Sequence, residues 1–166
     1  MGCEFDQSHW RAAMGGCLSG VNIVTTWKDG APAGTAVNAF CAVSLHPPLL
    51  LVCLDKNSRT LSAIAEAGVF CVNVLSERQA SLVSVFADKT AGDRFAQSDY
   101  VRGATGAPVL AGSLSWFDCE VHATHVEGDH TIVVGRVVDL DTDAALAPLA
   151  YRQGRVWPLT SDPVDS

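Results

Sequence analysis

AGTAVNAFCAVSLHPPLLLVCLDKNSRT, residues 33–60, is the stretch whose reading decides the fold. Its first part, Gly34 to Val43, is a strand of small and polar residues behind a glycine, which lets another group approach the backbone closely. The pair Pro47-Pro48 turns the chain. Leu49 to Leu54 is a continuous apolar run, the pattern of a strand covered on both faces. Asp55 to Thr60 is polar, and Asn57 or Ser58 can cap a helix that begins there. A helix start offers free N–H groups and the positive end of the dipole, and Lys56 and Arg59 add positive charge, so this corner suits an anion. Two strands and a helix start thus describe a place for a group lying on the backbone with a phosphate at one end.

Upstream, Val21 to Trp27 reads as a strand with Val21, Ile23, Thr25 and Trp27 on one side. The turn Lys28-Asp29-Gly30-Ala31-Pro32 contains an Asp-Gly pair, a strong hairpin signal, so this strand pairs with the one that starts at Gly34. Asp6 to Gly15 is a helix, capped by Asp6 or Ser8 and stopped at Gly15-Gly16, with Trp10, Ala13 and Met14 on one face. Downstream, the helix that starts at Asn57 or Ser58 runs to about Ala67, with Leu61, Ile64 and Ala65 inward, and Gly68 ends it. Val69 to Leu75 is another strand. Ser76-Glu77-Arg78-Gln79 is a capping box that opens a helix to about Ala87. Asp88 to Gly112 has no sustained period and reads as an irregular cover. Leu114 to Val126 alternates, with Phe117, Cys119, Val121 and Ala123 on one face and Asp118, Glu120, His122 and Thr124 toward water. Glu127-Gly128-Asp129 turns it, and His130 to Leu140 returns as its antiparallel partner. Acidic Asp139 to Asp143 leads into a short apolar segment, Ala144 to Tyr151, and Thr160 to Ser166 is expected to fray. Recurring hairpins predict a mainly β, antiparallel barrel with a few short helices, one domain with its core over about residues 6–159. No Gly-x-Gly-x-x-Gly follows a strand, so a doubly wound dinucleotide site is not supported.

With 166 residues, 48% of them apolar, the chain can bury a proper core. Its net charge of −7 argues against binding nucleic acid or anionic lipid through its overall field. Cys3, Cys17, Cys41, Cys53, Cys71 and Cys119 form no Cys-x-x-Cys pair, so structural zinc is not expected and reduced thiols in a cytoplasmic protein are. The start, MGCEFDQSHW, shows no apolar leader, its Asp6 breaks the myristoylation pattern, and no apolar run is long enough to span a membrane.

The motifs fall in a specific order. Gly20 to Thr26 reads Gly-Val-x-x-Val-Thr-Thr. Gly34 to Pro48 reads Gly-Thr-x-x-x-x-Phe and continues to Ser-Leu-x-Pro-Pro. Asn57 to Thr60 reads Asn-Ser-x-Thr, and Phe70 to Leu75 reads Phe-x-Val-Asn-Val-Leu. Asp93-Arg94-Phe95 follows, and Gly128 to Val137 reads Gly-Asp-His-x-x-x-x-Gly-x-Val. The ordered set spans nearly the whole chain and resembles the flavin reductase family, the FMN-binding split barrels of Greek-key type that serve as small reductase components of two-component flavin monooxygenases. The resemblance implies a homodimer with flavin at the subunit interface. It implies hydride transfer from NADH or NADPH to FAD or FMN. Reduced flavin then goes to a partner monooxygenase, a hydroxylase or halogenase in aromatic or natural-product metabolism. One segment departs from the family: where it often ends in Tyr-x-x-Gly-x-Tyr, this chain has Tyr151-Arg152-Gln153-Gly154-Arg155-Val156-Trp157, which displaces an aromatic.

The resemblance also assigns residues. Thr35 and Asn38 would bond flavin ring or ribityl atoms; the plain alternative is a polar sheet edge. Ala42, Val43 and Ser44 would offer backbone groups to the ring. Asp55, Lys56, Asn57, Ser58 and Thr60 would surround the phosphate, where helix capping alone is the alternative and Arg59 reads as solvated. Asp93, Arg94 and Phe95 would bring a cation to the phosphate and an aromatic to the ring, against a salt-bridged surface turn. His130 belongs near the nicotinamide, against an exposed turn histidine, and Tyr151 near the nicotinamide or the dimer contact. His122 and His125 fall on opposite faces of a regular strand, which speaks against a shared metal. Cys41 and Cys119 face a core and are poor nucleophiles, and Trp27, Trp116 and Trp157 read as core or interface anchors. A flavin-binding carrier, sensor or electron-transfer protein on the same fold is the second reading. An oxidase of pyridoxamine-phosphate type is the third, disfavoured because no basic substrate-phosphate cluster is evident.

Overall fold

A computed structural model describes residues 6–159. The expectations for the leader and for the tail fall mostly on residues outside that range. Helix α1 (Gln7–Gly15) precedes strands β1 (Ser19–Gly20), β2 (Asn22–Lys28), β3 (Ala31–Val37), β4 (Phe40–Leu45) and β5 (Pro48–Asp55). Helix α2 (Arg59–Ala67), strand β6 (Val69–Val74) and helix α3 (Ala80–Ala87) follow, then β7 (Tyr100–Arg102), β8 (Pro108–Leu110), β9 (Ser115–Glu127), β10 (His130–Thr142), β11 (Leu149–Arg152) and β12 (Arg155–Pro158).

Seven strands form one antiparallel sheet in the order β3-β2-β6-β9-β10-β5-β4. Strands β3 and β4 stand at opposite edges of that order, yet only Asn38 and Ala39 separate them in sequence. The sheet must therefore curl until its edges meet. The two edges are joined directly through Asn38 and Ala39, and the β4–β5 ladder runs up to that junction, the Cys53 N–H donating to the Ala39 carbonyl at 3.1 Å. This is the split barrel, and the expected single strand from Gly34 to Val43 is two strands broken at that seam.

The turn chemistry explains the first hairpin. Asp29 and Gly30 both have positive φ, 50° and 78°, the pairing a two-residue primed turn requires. The barrel interior holds Val24, Leu50, Val52, Leu54, Ile64, Phe70, Val72, Cys119 and Val133. Phe70 is large enough to forbid a side chain opposite it: a Cβ on Gly135 would stand 2.5 Å from the ring. A second cluster, including Ile23, Leu75, Phe86, Phe95 and Leu149, lies beneath α3. The sheet β1-β11-β12 contributes Leu149 to that cluster.

Burial differs from the sequence pattern in four places. Leu49 to Leu54 is covered on one face only: Leu50, Val52 and Leu54 are buried, and Leu49, Leu51 and Cys53 are half-exposed. Strands β2, from Asn22 through Thr26, and β6, from Phe70 through Asn73, are covered on both sides. On α2 the buried stripe is Thr60, Ala63 and Ile64, while Ala65 faces water. Asp118 is fully buried rather than wet. It accepts from the Thr105 N–H at 2.7 Å and from the Thr105 hydroxyl, so the segment between β7 and β8 is pinned over it. That segment belongs to the expected irregular cover, which carries a 3₁₀ turn at Arg94–Gln97 and the β7–β8 ribbon. His122 sits where the β9–β10 register shifts, so regular alternation fails at that residue. The caps follow expectation: Asp6 caps α1, Ser58 caps α2, Gly68 ends α2 in the left-handed region, and the Ser76–Gln79 box opens α3 through a 3₁₀ turn.

Candidate functional site

The seam between β3 and β5 opens as a cleft of about 330 Å³. One wall is the β3 edge and the break after it, Thr35 through Ala39; the other is Cys53 to Asp55, with Asn57 to Thr60 leading into α2. His130 stands at the rim because β10 pairs with β5, placing it directly opposite Asp55. Arg94 reaches the cleft from the turn after α3. Of the residues singled out in the sequence, the fold thus brings Thr35, Asn38, Asp55, Asn57, Ser58, Thr60, Arg94 and His130 to one place.

The end of the cleft at α2 is rich in fixed donors and charge. The Ser58 hydroxyl accepts from the Leu61 N–H at 3.4 Å. The Asp55 carboxylate accepts from the Asn57 N–H at 2.8 Å and from Lys89 Nζ at 3.1 Å. These two contacts, the amide foremost, hold its pKa below the ordinary carboxylate value. Arg59 donates to the Lys89 carbonyl at 2.9 Å. Arg94 donates to the Gly34 carbonyl at 2.6 Å and to the Asp88 carbonyl. Desolvation, then the nearby Arg59 charge, lowers the Arg94 pKa. Its Nε is buried with no hydrogen-bond partner among the described residues. Residues 88 and 89 are therefore held beside the cleft by three cations, Arg59, Lys89 and Arg94. At the rim, His130 Nδ1 lies 2.7 Å from Asp129, whose pKa that hydrogen bond depresses.

A second and wider groove, about 720 Å³, runs along the earlier half of β3, from Ala31 to Gly34. Arg59, Thr60 and Arg94 line both spaces. The two lie end to end along one strand, with those residues at the junction.

Other expected residues lie elsewhere. Ala42, Val43 and Ser44 are on β4 beyond the seam and line neither space. Lys56 is exposed, its N–H donating to the Asp129 carbonyl at 3.0 Å. Asp93 caps the Arg94–Gln97 turn, its carboxylate accepting from the Phe95 N–H, and lines the second groove. Phe95 lines the same groove but is only 8% exposed, edge-on to Phe86 and Tyr100. Tyr151 pairs with Ser19 in the small sheet and packs on the cluster beneath α3. Sequence reasoning missed Lys89 and underrated Arg59. Lys89 sits in a segment without period, and no local pattern joins it to Asp55, 34 residues earlier.

Comparisons with known proteins bear on the family and the fold. The family described as the flavin reductase like domain matches residues 14–160. The chain is similar to the reductase subunit HsaB of a flavin-dependent monooxygenase from Rhodococcus jostii, 40% identical over 157 residues, which cover 95% of this chain and 80% of that protein. In structure it is similar to nitrilotriacetate monooxygenase component B from Mycobacterium thermoresistibile, with a TM-score of 0.90 and 37% identity over 97% of this chain and 92% of that one. It is also similar to the NADH:FAD oxidoreductase SgcE6 from Streptomyces globisporus in complex with NAD and FAD fragments, with a TM-score of 0.89 and 32% identity over 95% and 94% of the two chains. On the fold, the cleft and the match over residues 14–160, this chain belongs to the flavin reductase family.

Proposed function

We propose that this chain is an NAD(P)H:flavin oxidoreductase that supplies reduced flavin to a partner monooxygenase. The observation that carries the reading is the seam cleft, which has a bare strand edge along its length and a capped helix start with Arg59 and Arg94 at one end. The residues present fit a flavin phosphate. Amides at the start of α2 and two guanidinium groups suit a phosphate dianion, and the buried Arg94 Nε has a donor to spare.

When bound, the flavin supplies the redox chemistry, taking a hydride from the reduced nicotinamide. The chain supplies distance and alignment. Thr35 and Asn38 hold the edge of the bound group, Asn57, Ser58, Thr60 and Arg94 fix its phosphate, and His130 orients the nicotinamide at the rim. No step requires His130 to act as acid or base. The loop cations held by backbone carbonyls and Asp55 can exchange those partners for phosphate, which suits a flavin that must leave.

A homodimer belongs to the same proposal. Val43, Leu45, Val126, Val138 and Leu140 are exposed at 42–75% on β4, β9 and β10, an apolar outer surface of the kind a second subunit covers. A reducing compartment fits the five free cysteines of the described residues. Among the described residues no helix is long and apolar enough to cross a membrane. The similar HsaB, a flavin-dependent monooxygenase reductase subunit, supports a monooxygenase as the consumer of reduced flavin.

The test is to follow NADH and NADPH absorbance while titrating FAD and FMN. Saturable, flavin-dependent oxidation is expected. Flavin binding without oxidation would replace this reading with a carrier or sensor.

A further inference from the structure

We infer that the flavin this chain prefers is the dinucleotide FAD, with its adenosine end in the groove along Ala31 to Gly34; this rests on the flavin reductase reading above. A mononucleotide ends at its phosphate. In this chain the phosphate-binding corner is not the end of the available space, because Arg59, Thr60 and Arg94 face both the seam cleft and the second groove. A ligand that continues past its first phosphate has a lined route onward along β3. That route is the wider space, about 720 Å³ against about 330 Å³.

The lining fits a nucleotide tail. Lys28, Arg59 and Arg94 outnumber the carboxylates Asp29 and Asp93, a local excess of positive charge in a chain of net charge −7. The Asp93 carboxylate is already engaged with the Phe95 N–H at 2.9 Å. Arg59 and Arg94 stand at the junction, where the second phosphate of a dinucleotide would pass. Lys28 pairs with Glu66 at 3.6 Å, with both side chains well exposed, so it can turn to a phosphate at little cost. For a purine the groove offers Pro32 and the half-buried ring of Tyr100. That ring is held edge-on by Trp27 and Phe95, with centroids at 6.0 and 5.5 Å, so it is a fixed surface and loses little freedom on contact.

The adenosine end of a nicotinamide dinucleotide has the same chemistry, so the experiment must separate the two. Riboflavin, FMN, FAD and NADH are each titrated by fluorescence into the wild-type protein and into Lys28→Glu, with far-UV circular dichroism checking that the variant is folded. The expected order of affinity is FAD over FMN over riboflavin, with FAD ahead of FMN by about tenfold or more. Lys28→Glu is expected to weaken FAD by roughly fivefold and to leave FMN within twofold. ADP is expected to compete with FAD and not with FMN. FMN binding as tightly as FAD, or Lys28→Glu weakening NADH while sparing FAD, would overturn the inference. Failure of all three flavins to bind would instead overturn the flavin reductase reading beneath it.

Discussion

The two sides of this barrel are built from the same antiparallel ladders and finished in opposite ways. On the closed wall, where β2, β6 and β9 lie side by side, Thr25, Asn73 and Asp118 are buried and paired, and among the described residues the side-chain carbonyl oxygen of Asn22 on β2 is a buried acceptor without a partner. Asn73 donates at 3.0 Å to the Ile23 carbonyl and to the Thr25 hydroxyl, and its own oxygen accepts from the Leu110 N–H at 2.7 Å. Asp118 is likewise closed off by Thr105. At the seam between β3 and β5 the strand is broken for two residues, Asn38 and Ala39, Arg94 keeps a buried unpaired nitrogen, and the remaining cations rest on exchangeable loop carbonyls and Asp55. The difference separates stability from binding. Satisfied buried groups hold a fold, and donors left short of partners are ready for a ligand.

The largest expected effect falls on the closed wall. Asn73→Ala strands the Leu110 N–H in a fully buried position and is expected to cost about 3 kcal/mol. Urea unfolding reads that loss, and flavin affinity of the folded fraction should not follow it. At the seam the order reverses. Arg94→Ala should weaken flavin binding by about 2 kcal/mol, roughly thirtyfold, with a smaller change in unfolding midpoint. Asn57→Asp adds a negative charge beside the phosphate and should cost about 1 kcal/mol of flavin affinity, less at high salt. Equal losses of stability and affinity in these variants would erase the contrast between the two regions.

The smallest effect is in alkaline solution. Burial, then the neighbouring Asp118, pushes the Cys119 thiol up to about 12 from an ordinary 9.0. A folded-state value raised this way favours the neutral thiol in the fold. Its stabilisation is present below pH 9 and fades as pH rises toward 12. Cys119→Ala should flatten that alkaline decline. Cys71 behaves alike, raised by burial and then by Asp118, whereas Cys41 on β4, expected from the sequence to face a core, is exposed and should react with a thiol reagent in the native protein while Cys71 and Cys119 do not.

Much of this was legible in the chain. The Asp29-Gly30 turn, the Ser58 cap, the Ser76 to Gln79 box and the His130 hairpin are local signals, and each lies where its chemistry requires. The seam was not legible, because hydrophobic period cannot say that a strand running past Val37 changes its partner at Asn38. That break is set by closure of the barrel. For the same reason Leu49 to Leu54 read as doubly covered: an apolar run does not reveal whether its second face meets a layer or is left half-exposed. Asp118 followed a clean alternation into the wet class, and only Thr105, from a segment without period, reverses it. In the site, residues near the α2 cap could be named from the sequence. Lys89 could not, since its link to Asp55 is made by tertiary approach alone.

The most direct test of the account is a flavin titration of Arg94→Ala against wild type, read together with their unfolding curves. Flavin affinity is expected to fall by about tenfold or more with unfolding changed far less. Unchanged affinity in the folded variant would contradict it and move the phosphate away from the β3–β5 seam.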